Sequence, residues 1–387
     1  NRELEKFEDY QFEIEEKQHN LEEKITDLFN LKSRESCRYD LVSLGEIMLR
    51  FDPGDTKVRN ARSFNVWEGG GEYNVARALS SCFRWRTGVI TAFADNDLGR
   101  LAENLIRTSG TDTSLIKWFE YDGIGKSVRN GLNFVDRGFG VRGASGTSDR
   151  ANSAASQLSS DMIDGDYIFG TLGTRWFHTG GIFTALSDIT ADTVLKAVKD
   201  AKKHGAAVSF DMNYRPSLWK ALSHPEKQIE ALREVVKNTD LLIAGPNDIT
   251  ERLGVPAPKT DLSGTLYYKK LFAETIKKYP NIKMIACTHR KVFSASRNDW
   301  GAYLYRDGEM FKSRIFEGLE IYDRVGGGDA FASGLIYGLT EYGDCQKALE
   351  TGVAHGALAM TTPGDNSLAS LAEVENLVSG GGAGVKR

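Results

Sequence analysis

The sequence predicts an α/β fold with a mostly parallel sheet and helices on both of its faces, and three observations carry that expectation. Apolar, strand-like runs alternate with helix-like segments between residues 39 and 378, the pattern of successive crossover units. The first run, Tyr39-Asp-Leu-Val-Ser-Leu-Gly-Glu-Ile-Met-Leu-Arg-Phe51, is largely apolar into Gly45, as suits a parallel strand buried on both faces. A later run, Ala207-Val-Ser-Phe-Asp-Met-Asn-Tyr-Arg215, ends in the alternating polar residues Asp211, Asn213 and Arg215. Open α/β sheets hold their ligands there, past the carboxyl ends of strands.

Composition narrows the class. A chain of 387 residues, 41% hydrophobic and 26% charged, has an ordinary soluble composition and room for an ample core. Cys37, Cys82, Cys287 and Cys345 are scattered and form no Cys-x-x-Cys pair. That argues against a zinc ribbon or a disulfide framework and fits a reducing, cytoplasmic setting. No stretch of apolar residues is long enough to predict a membrane span. The net charge of −4 resides in residues 1–38, where eleven Asp and Glu outnumber seven Lys and Arg. The remainder is neutral and carries no electrostatic footprint for nucleic acid.

In chain order, residues 1–38 lack Gly and Pro, and Ile14, Leu21, Ile25 and Leu28 follow spacings of seven, four and three. This predicts an amphipathic helical extension, packed on its own body or used for oligomerisation. Asp52-Pro-Gly-Asp55 reads as a turn. Gly69-Gly-Gly-Glu-Tyr-Asn-Val-Ala76 reads as a helix start whose backbone can approach a polyhydroxyl ligand, with Asn74 as both donor and acceptor. Residues 125–143 alternate polar and apolar around glycines and predict a β-hairpin. Its arginines, Arg129, Arg137 and Arg142, either blunt a sheet edge or face a ligand. At Arg215 the choice lies between a structural Arg–Asp pair and a carboxylate clamp. Residues 379–387 form a Gly-rich tail, flexible by composition, beyond a body at 39–378.

The stretch Asp323-Arg-Val-Gly-Gly-Gly-Asp-Ala-Phe-Ala-Ser-Gly-Leu335 is the most informative. Three glycines run into Asp329 and then into a helix-like segment, a turn suited to a phosphate oxygen. A carboxylate inside such a turn is either a helix N-cap or a base that removes the proton of the attacking group.

This stretch resembles the second signature of the ribokinase-like (PfkB) carbohydrate kinases, D-T-x-G-A-G-D-x-F, and residues 69–76 resemble the first, G-G-A-E-x-N-V-A. With Arg324 in place of Thr it is most similar to the 2-keto-3-deoxygluconate kinase branch. The resemblance implies a ribokinase-like three-layer sandwich with a small β-sheet lid, its strands within about 47–68 and 124–145, and a homo-oligomer formed through that lid. It implies Asp329 as catalytic base, Gly326, Gly327 and Gly328 as an anion hole, and ATP and Mg2+ as cofactors. Gly45, Gly70, Asn74 and Asn213 would face the sugar, with Arg142 and Arg215 on its carboxylate. Thr288, Arg290, Asp323, Gly326, Gly328 and His355 would meet the nucleotide. The family's magnesium-organising N-x-x-E is altered here: Asn247 and Glu251 stand four apart, and Asp248 takes the Glu position in the alternative alignment. The implied reaction is ATP-dependent phosphorylation of 2-keto-3-deoxygluconate to its 6-phosphate. The alternatives are a kinase for a neutral sugar such as fructose, or a weakly active homologue serving as a scaffold.

Overall fold

The computed structural model describes residues 28–259 and 264–382. Most of the expected helical extension, residues 1–27, and the end of the tail, 383–387, lie outside them. The first strands are β1 (Tyr39–Leu44), β2 (Met48–Asp52), β3 (Asn65–Gly69), β4 (Thr87–Ile90) and β5 (Ala92–Ala94). Then come β6 (Lys117–Phe119), β7 (Leu132–Asp136), β8 (Ser145–Asp149), β9 (Thr174–Gly180) and β10 (Ala207–Asp211). The last are β11 (Leu241–Ile243), β12 (Met284–Ser294), β13 (Arg297–Arg306), β14 (Glu309–Lys312) and β15 (Phe316–Glu320).

The large sheet runs β14-β13-β12-β11-β10-β9-β1-β4, with β15 on β13. From β4 through β12 every pairing is parallel, and the β12–β13–β14 edge is antiparallel. Strand alternation divides the core in two. Val42, Phe177, Val208, Leu242 and Ile285 pack into one buried cluster, and their neighbours Leu41, Trp176, Ala207, Leu241 and Met284 into another. Helices cover each face, so the expected α/β sandwich with a mostly parallel sheet is borne out. Chain direction across the sheet reverses at β1, which lies between β4 and β9. Such a reversal opens a crevice at the carboxyl ends of the strands.

A separate sheet, β3-β2-β7-β8, stands over that end as a lid. Its hairpin occupies 132–149 rather than the expected 125–143, with Leu132 opposite Asp149 and Asp136 opposite Ser145. The earlier residues turn instead, because the Asp122 carboxylate accepts from the N–H groups of Ile124, Gly125 and Ser127 and so competes with strand pairing. At the opposite, amino-terminal end of the sheet, residues 28–38 lie on the body. Phe29 packs on Trp176 with ring centroids 4.9 Å apart, and Lys32 donates to the Phe169 carbonyl at 2.9 Å. All four cysteines are buried and unbridged. Among the described residues no helix is long and apolar enough to cross a membrane.

Candidate active site

Between lid and sheet lies a cleft of about 690 Å³, lined from the lid by Met48, Asn133, Ser148 and Arg150 and from the strand ends by Asp211, Asn213 and Thr288. Its deepest charged wall is the turn before the 15-residue helix Gly327–Glu341. Gly326 has φ 81°, and a side chain there would meet the Asp365 carbonyl at 1.8 Å. Only glycine satisfies both conditions. Gly328 faces open space and lines the cleft. The helix therefore presents its unpaired first N–H groups to the cavity, as an anion site requires.

Asp329 projects from the first turn of that helix. Asn74 Nδ2 donates to its Oδ2 at 2.7 Å, and Asn74 Oδ1 accepts the Gly70 N–H at 3.2 Å. Asn74 can reach because Gly70 admits the Glu46 backbone, whose carbonyl lies 2.0 Å from where a β-carbon would stand. Burial pushes the Asp329 carboxyl up to about 6, with Asp365 adding to the shift, while the Asn74 hydrogen bond and Arg215 oppose it. A carboxylate with that value is ionised at neutral pH yet basic enough to take a proton.

More carboxylates crowd the same end. Burial, then Asp329 and Asp248, push Asp211 up to about 8. Burial pushes Glu72 up to about 7, against the Phe183 N–H that donates to it at 3.2 Å. Asp248 is likewise raised, mainly by burial. Ionised together, these groups repel one another, and a divalent cation would relieve that strain. Among the described residues no three His, Cys, Asp or Glu side chains form a metal-holding group. Asp211 and Asp248, which both line the cleft, are the carboxylates that could meet magnesium carried by substrate phosphates, an ion commonly held by one or two carboxylates plus water.

Three arginines, Arg215, Arg290 and Arg324, line the cleft and pair with no carboxylate among the described residues. Arg215 is set by its loop. Tyr214 stacks on Trp219 at 5.3 Å and carries the Arg252 guanidinium at 3.8 Å, while Asn213 takes φ 27° with its N–H on the Asp211 carboxylate at 3.1 Å. A fourth arginine, Arg150, is held by Glu46, to which its Nε donates at 2.8 Å. Glu46 also accepts from Ser153 at 2.6 Å.

Comparison with known proteins agrees with this geometry. The sequence profile of the "pfkB family carbohydrate kinase" matches residues 173–371. The solved 2-dehydro-3-deoxygluconokinase of Thermotoga maritima is 34% identical, with a TM-score of 0.79 over 88% of this chain and 99% of that one. The chain belongs to the PfkB family of carbohydrate kinases. The 2-dehydro-3-deoxygalactonokinase of Haloferax volcanii is 27% identical to it over 357 residues, which is 90% of this chain and 99% of that protein. A 5-dehydro-2-deoxygluconokinase of Clostridium perfringens is 28% identical over 334 residues, 85% of this chain and 89% of its own.

In this PfkB kinase Gly70, Asn74, Asn213, Arg215, Asp248, Thr288, Arg290, Gly326, Gly328 and Asp329 all line the one cleft. Gly327 is buried behind the turn, where a β-carbon would meet the Met360 side chain at 3.0 Å. Six other expected residues do not reach the cleft wall. Gly45 is small to make room for Glu72, which would lie 2.4 Å from its β-carbon. Arg142 sits on the exposed tip of the lid hairpin, its backbone bonded to Phe139. Asp323 is buried against Arg50. Asn247 is exposed, and Glu251 is 57% exposed and paired with Arg252. His355 is fully buried in the helical layer, its Nδ1 on the Ala330 carbonyl at 2.8 Å and its Nε2 against Ser367 at 2.8 Å; burial pushes it down to about 4, against the Ala330 hydrogen bond, which raises it. Sequence reading passed over Glu46, Asn133, Ser148 and Arg150. A lone arginine closing the exposed strand β8, just before Ala151-Asn-Ser-Ala-Ala155, was the available signal.

Proposed function

We propose that this carbohydrate kinase transfers the γ-phosphoryl of ATP to a hydroxyl of a keto-deoxy sugar acid of the 2-keto-3-deoxygluconate type. The observation that carries the reading is Asp329. It is a base at the amino terminus of a long helix, oriented by Asn74 and open to a cleft that also exposes unpaired arginines. In the proposed reaction Asp329 takes the proton of the attacking hydroxyl as its oxygen bonds to the γ-phosphorus. The bridging bond to the β-phosphate breaks, and ADP leaves with that oxygen. N–H groups of the 326–329 turn stabilise the charge on the transferred group, while Arg290, Arg324 and Thr288 hold the phosphates. Bound magnesium would neutralise phosphate charge, with Asp211 and Asp248 holding it directly or through water. On the sugar side Gly70, Asn74 and Asn213 meet hydroxyls, and Arg215 and Arg150 meet the carboxylate, for which a planar guanidinium is the better partner.

The relatives named for 2-dehydro-3-deoxy and 5-dehydro-2-deoxy sugar acids support an acidic substrate. Glu46 supports a neutral one, because it already neutralises Arg150. The deciding experiment is ATP consumption with magnesium on 2-keto-3-deoxygluconate, its galacto epimer, 5-keto-2-deoxygluconate, gluconate, fructose and ribose. Turnover confined to keto-deoxy acids is expected. Turnover of fructose or ribose alone would discard the carboxylate pocket, and no turnover on any member would favour the scaffold reading.

A further inference from the structure

We propose that Arg50 is a positioning residue for phosphoryl transfer, tying the lid to the anion turn through Asp323 and Asp365. The proposal rests on the reading of Asp329 and the 326–329 turn given above. Arg50 lies on lid strand β2, two residues past Met48, which lines the cleft from the same strand face. It is a charged side chain only 1% exposed. One terminal nitrogen of its guanidinium donates to Asp365 and the other to Asp323.

Both carboxylates belong to the structure that shapes the turn. Asp323 opens it and accepts the Val325 N–H at 3.1 Å. Asp365 holds its other side, its carbonyl against Gly326 where no side chain could fit and its carboxylate against Gly69 at the end of lid strand β3. A single planar fork therefore joins a lid strand to the two segments that fix the turn's backbone. Lysine keeps the charge but cannot reproduce that geometry.

Stability does not account for this arrangement. Arg50 and Arg137 together face three buried carboxylates, Asp52, Asp323 and Asp365, so carboxylates outnumber cations. Arg50 Nε has no hydrogen-bond partner among the described residues. A buried, charge-unbalanced network gains little over apolar packing, whereas it fixes orientation well. The mechanical consequence is that seating of the lid on a sugar and setting of the anion turn become one event. Such coupling assembles the reactive geometry when the acceptor is present and slows transfer to water when it is not.

The test is steady-state kinetics of Arg50→Ala and Arg50→Lys on any sugar that the parent enzyme turns over, with thermal melts to establish folding. Arg50→Ala should lower kcat about 100-fold, the cost of a misplacement near 1 Å, with KM for ATP and for sugar each within about threefold. Added guanidinium should restore part of the Ala variant's activity, and Arg50→Lys should fall between parent and Ala. A kcat within about twofold of the parent would overturn the proposal, as would a fall in kcat matched by rises in both KM values, the mark of a cleft that has simply collapsed. If the Ala variant does not fold, Arg50→Lys decides, and parental kcat there would overturn it. Because any accepted sugar serves, a wrong substrate assignment leaves this test intact. A fully active Asp329→Asn enzyme would instead fault the reading of the turn.

Discussion

The two walls of the cleft handle charge in opposite ways. On the lid side two arginines are already paired: Arg150 with Glu46, and Arg50 with Asp323 and Asp365. On the sheet side, among the described residues, Arg215, Arg290 and Arg324 have no carboxylate partner and Asp211, Asp248 and Asp329 form no ion pair. Burial, then the neighbouring Arg324 and Arg215 charges, push the Arg290 guanidinium below its ordinary value, just as crowding raises the acids. The paired wall is fixed before any ligand arrives. On the proposed reading the unpaired wall receives its charges from ligands: phosphates for Arg290 and Arg324, a sugar carboxylate for Arg215, and magnesium for the carboxylates. This division suits an enzyme that must build its transition state from a polyanion and a cation.

The largest effect should come from Asp329 on the unpaired wall. Asp329→Asn should lower kcat by about 10²–10⁴, the usual worth of a general base, while calorimetry still shows ATP binding. Parental turnover would remove Asp329 from the mechanism. In the parent, log kcat/KM should fall with decreasing pH once Asp329 protonates below about 6. An acid limb near the ordinary carboxylate value would show that the base is a different group.

The unpaired wall is tested by Arg290→Ala and Arg324→Ala. Each removes a charge-assisted contact to phosphate, so kcat/KM for ATP should drop about 10- to 100-fold, with sugar KM nearly unchanged. An unaltered kcat/KM for ATP in both variants would place the phosphates elsewhere. On the paired wall, Arg150→Ala should reduce the preference for acid over neutral sugars by about tenfold, whereas Arg142→Ala, at the exposed hairpin tip, should not change it. The reverse result would return the carboxylate to the residue that sequence reading selected.

The contrast between Arg142 and Arg150 shows what the sequence could carry. Features confined to one turn were legible, because neighbours in sequence are neighbours in space: Gly326 to Asp329, Gly70 with Asn74, and Asn213 with Arg215. The parallel sheet was legible for a similar reason, since its buried strands are local apolar runs. The lid was not. Its hairpin is Gly-rich and exposed, so no hydrophobic alternation fixes the register, and the register decides which arginine meets the cleft. Asp323 failed differently. Its position suggested a nucleotide contact, but its partner Arg50 lies 273 residues away, and no local pattern announces such a pair. The only hint was the charge of Arg50 itself inside the apolar run Ile47–Phe51.

The smallest expected effect concerns stability, and it follows from the sign of the carboxylate shifts. Asp329, Glu72 and Asp211 have folded-state values raised to about 6, 7 and 8 from ordinary values of 3.8, 4.5 and 3.8. The folded protein thus holds these protons more tightly than the unfolded chain does. The stability this confers is complete below the unfolded values near 4 and is lost as pH rises through 6, 7 and 8. The ligand-free enzyme should therefore melt higher near pH 5 than near pH 8.5, by on the order of a few degrees. Asp211→Asn separates this acid's contribution from those of Asp329 and Glu72, because it removes the most strongly shifted of the three. That variant should gain stability at pH 8.5, gain little at pH 5, and flatten the dependence. Magnesium with ATP should flatten it in the parent as well, by stabilising the ionised form of the same group. A variant as pH-sensitive as the parent would mean that the strain of the unpaired wall is carried by groups other than Asp211.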